Sequence, residues 1–497
     1  VLINWIKENK CVFAFFVFVN ISVVLNVLLR TETDFYHMAV SGKWIVEHRS
    51  IQYQNDQFIL DGYDTVIQQW LYCVLIYMSA QIGKVGTVIF TYLQYILFCF
   101  TSYKLLKIHN KNKAVCIMCL EAMVFIVMGY INCRPHILSL ILLETQMIIV
   151  EKYRKTGKKV VLYILPFLTL CEINVHGTYW IFHFLFILPY LVPIKKLLKM
   201  DIKIVDDNMK IKPFIVPLFL MALTLFVNPY GTSMITCLFK SGNIKFLEID
   251  ELQKVDIMSG QFLLIVLLCV FALFIYRREK LKSTTFYMLL GTILMSLYAI
   301  RNFEFLIFPF VYLINNINED GCIEGVCIGM NNMKMRVSLK IALVFLFIVV
   351  LLINFYLNMQ HTIFDNTKYA VKYLQENEAD MSGLKVYSDF NSGAYFLWNG
   401  VGKVYMQAKT EPYLQGVNHK KDVVTEYAYI DNFADKEGLE NFLELYDFDY
   451  LYVPYNQTGL LLYLQMSSDY ECVAEGDYGE VYNKYNVRSS CLFKKVH

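Results

Sequence analysis

Apolar residues fall in long blocks over the first 360 positions, separated by short segments rich in lysine and asparagine. Blocks such as Cys11 to Leu29, Pro213 to Val227, Gln261 to Tyr276 and Ser338 to Tyr356 approach the roughly 20 residues a helix needs to cross a bilayer. About eleven spans are predicted, near 11–29, 85–103, 114–131, 137–150, 160–175, 179–194, 213–228, 261–276, 284–300, 303–316 and 337–357. The segment 67–82 is also apolar, but if it crossed, the lysines of 104–113 would face outward with every later loop inverted. It therefore reads as an amphipathic or re-entrant helix at the outer surface. From about residue 358 the pattern shortens. Helix-like stretches (Tyr369 to Glu378, Lys436 to Tyr446, Gly459 to Met466) alternate with strand-like ones (Lys385 to Asp389, Lys403 to Gln407, Tyr450 to Pro454, Glu480 to Tyr485), the pattern of a small α/β domain. The predicted organisation is a transmembrane domain over 1–357, with a long first outer loop at 30–84, and an extracytoplasmic α/β domain over 358–497.

Charge gives the orientation. With the N-terminus inside, the loops on that side hold 23 Lys and Arg, against 9 on the opposite side of the membrane part. The first apolar stretch is too long for a signal peptide and lacks a small-residue cleavage site, so it reads as a retained span. The expectation is a multi-pass protein of the cytoplasmic membrane, N-terminus inside and C-terminal domain outside. Of the 497 residues, 57% are apolar and 18% charged, which excludes a disordered chain. A net charge of +2 gives no whole-chain attraction for nucleic acid. The tail carries 20 Asp and Glu against 12 Lys and Arg. Most of the 13 cysteines lie in apolar runs as small hydrophobes. Cys116-Ile117-Met118-Cys119 has no second ligand pair, and Cys472 with Cys491 could form a disulfide in the tail.

Polar groups at span ends are costly in lipid and are functional candidates. They cluster: Thr31-Glu32-Thr33-Asp34-Phe35-Tyr36-His37, Asn55-Asp56, Gln68-Gln69-Trp70, Asn132-Cys133-Arg134-Pro135-His136, Asn174-Val175-His176-Gly177, Asn228-Pro229-Tyr230-Gly231 and Arg301-Asn302-Phe303-Glu304. Each has a plain structural reading, as a solvated carboxylate, a turn, or a snorkelling arginine. Under the topology read from the lysines, all of them fall on the outer face, which points to one outward-facing polar cavity.

Asp34-Phe35-Tyr36-His37-Met38-Ala39, continuing to Gly42-Lys43-Trp44-Ile45-Val46-Glu47-His48, resembles the first outer loop of the GT-C superfamily of integral-membrane glycosyltransferases. That superfamily includes protein O-mannosyltransferases, aminoarabinose transferases and oligosaccharyltransferase catalytic subunits. Arg134-Pro135, Asn174-Val175-His176-Gly177 and Asn228-Pro229-Tyr230-Gly231 resemble elements of uncharacterised bacterial relatives. Many members pair two acids in the first loop. Here Phe35 follows Asp34, so the second acid would be Asp56 or Glu32.

The resemblance implies transfer of a sugar from a polyprenyl-phosphate donor to a hydroxyl of a glycan, lipid or protein acceptor, with inversion. Asp34 is the expected base, with Asp56 and His37 beside it; Arg134, Arg301 and His136 are expected at the donor phosphate. Asn174, His176, Gln69, Trp70, Asn228 and Tyr230 are candidates for sugar or acceptor. Mg²⁺ or Mn²⁺ is a possible cofactor through Asp34, Asp56 and His176, though their spacing matches no metal motif. The rival readings are a transporter or lipid-linked glycan flippase, which would use Glu121 and Glu144 inside spans, and a non-catalytic cell-envelope protein acting through its acidic tail.

Overall fold

A computed structural model describes residues 10–29, 33–51, 53–54, 58–60, 63–108, 113–193, 204–234, 237, 253–278, 281–317, 364–409, 411–432, 434–477 and 489–496. Glu32, Asp56, the expected span 337–357 and the strand-like stretch 480–485 lie outside these residues. The chain divides into two compact units. One comprises 1–30, 88–228 and 248–359, the other 31–87, 229–247 and 360–497.

In the first unit helices occupy the expected segments, but many are short. Among the described residues three are, by length and composition, long and apolar enough to cross a membrane: Lys84–Lys107, which begins at the unit boundary, Lys113–Tyr130 and Gly260–Arg277. The others have local causes for their shortness. The apolar stretch after Lys158 opens as a 3₁₀ helix, Lys159–Ile164, and becomes α-helical at Leu165–Val175, with Pro166 in the first turn where its missing N–H costs nothing. The next stretch breaks into Trp180–Leu185 and Leu188–Leu191, the second again opening with a proline, Pro189. The helix His136–Thr156 has 21 residues, about 30 Å at 1.5 Å per residue, but carries Glu144, Glu151, Lys152 and Arg154. Polar clusters mark both its ends. At the C-terminal end Arg154 pairs with Asp207 at 3.2 Å and lies over the ring of Tyr190 at 5.0 Å. Between the ends its buried positions, among them Leu140, Leu143, Met147 and Val150, join an apolar core with Val19, Met123 and Phe308.

The second unit is α/β. Strands β1 (Lys385–Tyr387), β2 (Lys403–Val404), β3 (Tyr450–Val453), β4 (Tyr470–Asp477) and β5 (Ser489–Lys495) form a sheet in the order β2-β1-β3-β5-β4. The first three are parallel; β5 runs antiparallel to β3 and β4. Alternation along β1 feeds two cores, because successive side chains leave opposite faces of a strand. Val386 packs with Val371, Leu374 and Phe396, and Tyr387 with Tyr405, Phe442 and Leu461. Cys472 and Cys491 are both reduced: the two thiols hydrogen-bond to one another between β4 and β5, and the disulfide considered from sequence is not formed.

The first outer loop belongs to this second unit. Its helix Thr33–His48 packs on the helix Trp70–Ala80, which falls in the segment expected not to cross. The contact is close because Gly42 has no side chain: a Cβ there would sit 2.0 Å from the Cys73 carbonyl oxygen. The same helix packs on the helix Gly393–Trp398 through Tyr36 and Tyr395, whose rings meet edge-on at 4.8 Å.

Candidate functional site

Two turns of the first unit bring the candidate phosphate ligands together. One joins the 3₁₀ turn Met128–Tyr130 to the helix starting at His136 and carries Arg134; the other is the 3₁₀ helix Ile300–Leu306, which carries Arg301. Two bonds tie them. The Tyr130 hydroxyl donates to the Ile300 carbonyl at 3.1 Å, and His136 Nδ1 lies 3.2 Å from Glu304 Oε1. Three residues per 3₁₀ turn place Arg301 and Glu304 on one face. Glu304 is fully buried, accepts from the Tyr179 hydroxyl through Oε1, and its Oε2 has no partner. Among the described residues Arg301 forms no ion pair, while its charge reaches His176 and Tyr179.

Three rings line this place. His176 stacks on Tyr179 at 4.0 Å between centroids, His136 meets His176 at 5.2 Å, and His136 Nδ1 lies 2.9 Å from the Tyr179 hydroxyl. Behind them runs a buried chain. Ser139 Oγ lies 2.9 Å from His176 Nδ1 and donates to Glu172 Oε1 at 2.6 Å. Glu172 Oε2 lies 3.1 Å from His183 Nε2, and His183 Nδ1 lies 2.8 Å from Gln146 Oε1. Helical spacing builds it: Glu172 and His176, like Tyr179 and His183, are four residues apart, and His136 and Ser139 are three apart, so each pair shares a face.

The other candidates fall elsewhere. Asn174 Nδ2 donates to the carbonyls of Leu170 and Val227, and Asn228 Nδ2 to that of Leu225, all in the first unit. Asp34, His37, Gln69, Trp70 and Tyr230 belong to the second unit, where the Tyr230 hydroxyl donates to the Ile51 carbonyl at 2.9 Å. His37 is buried beside Lys409 and Gln407, and burial, with the Lys409 charge adding, lowers its imidazole to about 3. It is neutral at ordinary pH. Among the described residues no three His, Cys, Asp or Glu side chains converge to hold a metal ion.

Ser139, Tyr179 and His183 carried no signal in the sequence, because each reads as an ordinary residue of an apolar helix. Glu172 and Glu304 were visible only as acids near span ends.

The fold has known counterparts. The chain is similar to the oligosaccharyltransferase of Archaeoglobus fulgidus tethered to an acceptor peptide containing the NVT sequon (TM-score 0.52, 12% identity, 98% of this chain and 76% of that one). It is similar to AglB, the archaeal oligosaccharyltransferase from the same organism, in complex with an inhibitory peptide and a dolichol-phosphate (TM-score 0.52, 11% identity, 98% and 76%). The apo form of the A. fulgidus enzyme gives a TM-score of 0.51 at 11% identity, over 96% and 76%. At this identity the likeness is one of fold. No protein-family model and no curated protein matches the sequence.

Proposed function

We propose that the protein is a membrane glycosyltransferase that moves a sugar from a polyprenyl-phosphate donor to an acceptor hydroxyl on the outer side of the cytoplasmic membrane. One observation carries the reading: in a fold shared with oligosaccharyltransferases, two turns bearing Arg134 and Arg301 are bonded to one another beside His136. Guanidinium groups pair phosphate oxygens through two N–H donors, which suits a leaving phosphate as its charge grows. The eleven spans, with the N-terminus inside, belong to this proposal, and so does a lipid donor lying along the helices with its phosphate at their outer ends.

The step is a direct displacement. The acceptor O–H gives its proton to the Asp34 carboxylate and its oxygen bonds the anomeric carbon. The bond from that carbon to the phosphate oxygen breaks, polyprenyl phosphate leaves, and the anomeric centre inverts. Asp56 and His37 are assigned to the same loop chemistry; His176, Asn174, Gln69, Trp70, Asn228 and Tyr230 are assigned to sugar or acceptor. No step is assigned to Mg²⁺ or Mn²⁺, since no ligand set for either is assembled among the described residues.

The test is turnover of a panel of short-chain polyprenyl-phosphate sugars by purified protein in lipid, read by mass spectrometry. Wild type is expected to turn over at least one donor, with losses of about 100-fold or more in Arg301→Ala and in Asp34→Asn. Full activity in Arg301→Ala would remove the phosphate assignment, and full activity in Asp34→Asn the base. Folded wild type that turns over no donor would overturn the transferase reading.

A further inference from the structure

Two thiols that the transfer chemistry does not use stand side by side in the second unit. Cys472 lies on β4 and Cys491 on β5, and β4 is the edge strand of the sheet, laddered to β5 alone. A bulge sets their relation. Cys472 pairs with Phe493, Ala474 with Leu492 and Glu475 with Cys491, which leaves Val473 as the extra residue of β4. Val473 and Ala474 pack with Leu492 in the core on one side of the sheet, whereas Phe493 and Cys491 join the core on the other. Cys472 and Cys491 are therefore diagonal neighbours on one face, close enough for their thiols to hydrogen-bond.

The two are unequal in a way that suits stepwise oxidation. Among the described cysteines Cys472 is the exposed one, while Cys491 is 1% exposed. The Cys491 thiol donates to the Cys472 sulfur and holds the Cys472 thiol below its usual range, against burial and the charges of Glu475 and Glu471. A thiol reacts as its thiolate, so the accessible sulfur is the one an oxidant meets first, and the buried thiol in contact with it is placed to complete the step. Glu471 and Glu475 also surround Cys472 with negative charge, which favours an oxidant that is not an anion.

A disulfide needs its two Cβ atoms about 3.5–4.5 Å apart, closer than an ordinary diagonal pair. An edge strand can make that adjustment, since moving β4 toward β5 breaks no second ladder.

We propose that Cys472 and Cys491 form a reversible thiol–disulfide site on the C-terminal domain, whose substrates are small neutral or cationic disulfides. The Cys472 thiolate attacks one sulfur of the oxidant, forming a mixed disulfide and releasing the other half as a thiolate. The Cys491 sulfur, deprotonated, then attacks Cys472 Sγ and expels the second half. The oxidant ends as two thiols, which carry the two protons that Cys472 and Cys491 gave up, and the pair ends as one disulfide. None of this depends on the glycosyltransferase reading.

The experiment is incubation of the reduced full-length protein in nanodiscs with cystamine, a cationic disulfide, quenched with N-ethylmaleimide and read by peptide mass spectrometry. In wild type, peptides linked through Cys472 and Cys491 are expected, and dithiothreitol should separate them. Cys491→Ser should stop with cysteamine on Cys472. In Cys472→Ser, Cys491 should take up cysteamine at least about tenfold more slowly than Cys472 does in Cys491→Ser. Glutathione disulfide, an anion, should form the wild-type link at least about threefold more slowly than cystamine, after each rate is divided by that with free cysteine. An equal or faster rate overturns the assigned substrate class. Cysteamine that stays on Cys472 of wild type while Cys491 remains a thiol overturns the resolving step. An unmodified Cys472 in folded wild type overturns the proposal, as does equal reactivity of the two variants.

Discussion

Ser139 gives its hydroxyl proton to Glu172 at 2.6 Å, and the direction of that bond fixes the state of a histidine two bonds away. The serine oxygen, having given up its hydrogen, can only accept from His176 Nδ1, 2.9 Å away. His176 is therefore protonated at Nδ1, with a bare lone pair on Nε2. Gln146 makes the matching choice deeper in. Its Nε2 donates to the His183 carbonyl at 2.9 Å, which turns Oε1 to His183 Nδ1 and leaves one proton between His183 Nε2 and Glu172.

We predict that ¹⁵N NMR of histidine-labelled wild type shows His176 as the Nδ1–H tautomer. Ser139→Ala removes both the acceptor for that proton and a donor to a buried carboxylate. It should give a mixed-tautomer signal for His176 and cost about 1–3 kcal/mol in stability. An Nε2–H tautomer in wild type would refute the assigned bond direction.

Arg134 and Arg301 provide the second prediction, since the donor-phosphate reading needs their forked geometry as well as their charge. Lysine keeps the charge and loses the paired donors. Arg301→Lys should retain weak competition by inorganic phosphate against the lipid-linked donor, while transfer falls about tenfold or more, between wild type and Arg301→Ala. Arg134→Lys is expected to behave alike, because the bonds Tyr130 to Ile300 and His136 to Glu304 hold the two turns together. Wild-type transfer in both lysine variants would show that neither guanidinium grips the phosphate bidentately.

Much of this was legible in the sequence for one reason: apolar periodicity and charge report local environment. The helices of the first unit and the alternating tail follow from such signals. Three things were not. The Ser139–Glu172–His183 chain depends on which helix faces which, a tertiary fact without a local signature. The shared unit of the first outer loop and the tail depends on contacts more than 300 residues apart, such as Tyr36 with Tyr395. The contact of His37 with Gln407 exists only once the first outer loop lies against the tail.

Two glycines in the second unit permit backbones to touch. A Cβ on Gly42 would meet the Cys73 carbonyl oxygen at 2.0 Å, and one on Gly393 the Met406 carbonyl oxygen at 1.8 Å. In both cases the obstacle is backbone, which cannot swing aside. Gly42→Ala and Gly393→Ala are each expected to destabilise the protein by about 1–3 kcal/mol through forced separation of packed elements. Gly291, on a helix of the first unit with nothing near its missing Cβ, is the control. Its alanine variant should melt at or slightly above the wild-type temperature, because alanine is the better helix former. Equal melting of all three variants would contradict the close approaches.

His37 gives the second unit a pH dependence of definite sign. Burial, with Lys409 and its charge alongside, lowers the folded imidazole from about 6.5 in the unfolded chain to about 3. Between these values the unfolded state binds a proton that the folded state refuses, so stability is complete above about pH 6.5 and is lost as pH falls. The slope is about 1.4 kcal/mol per pH unit for one proton. The charged groups facing His37 do not cancel it: Lys409 stays cationic throughout the window, and Gln407 does not titrate. Wild type followed by tryptophan fluorescence, which Trp44, Trp70 and Trp398 report from this unit, should melt at progressively lower temperature from pH 6.5 to pH 5. In His37→Asn, which carries no titrating group there, that part of the slope should vanish. A variant that loses stability with acid as steeply as wild type would exclude His37 as its source.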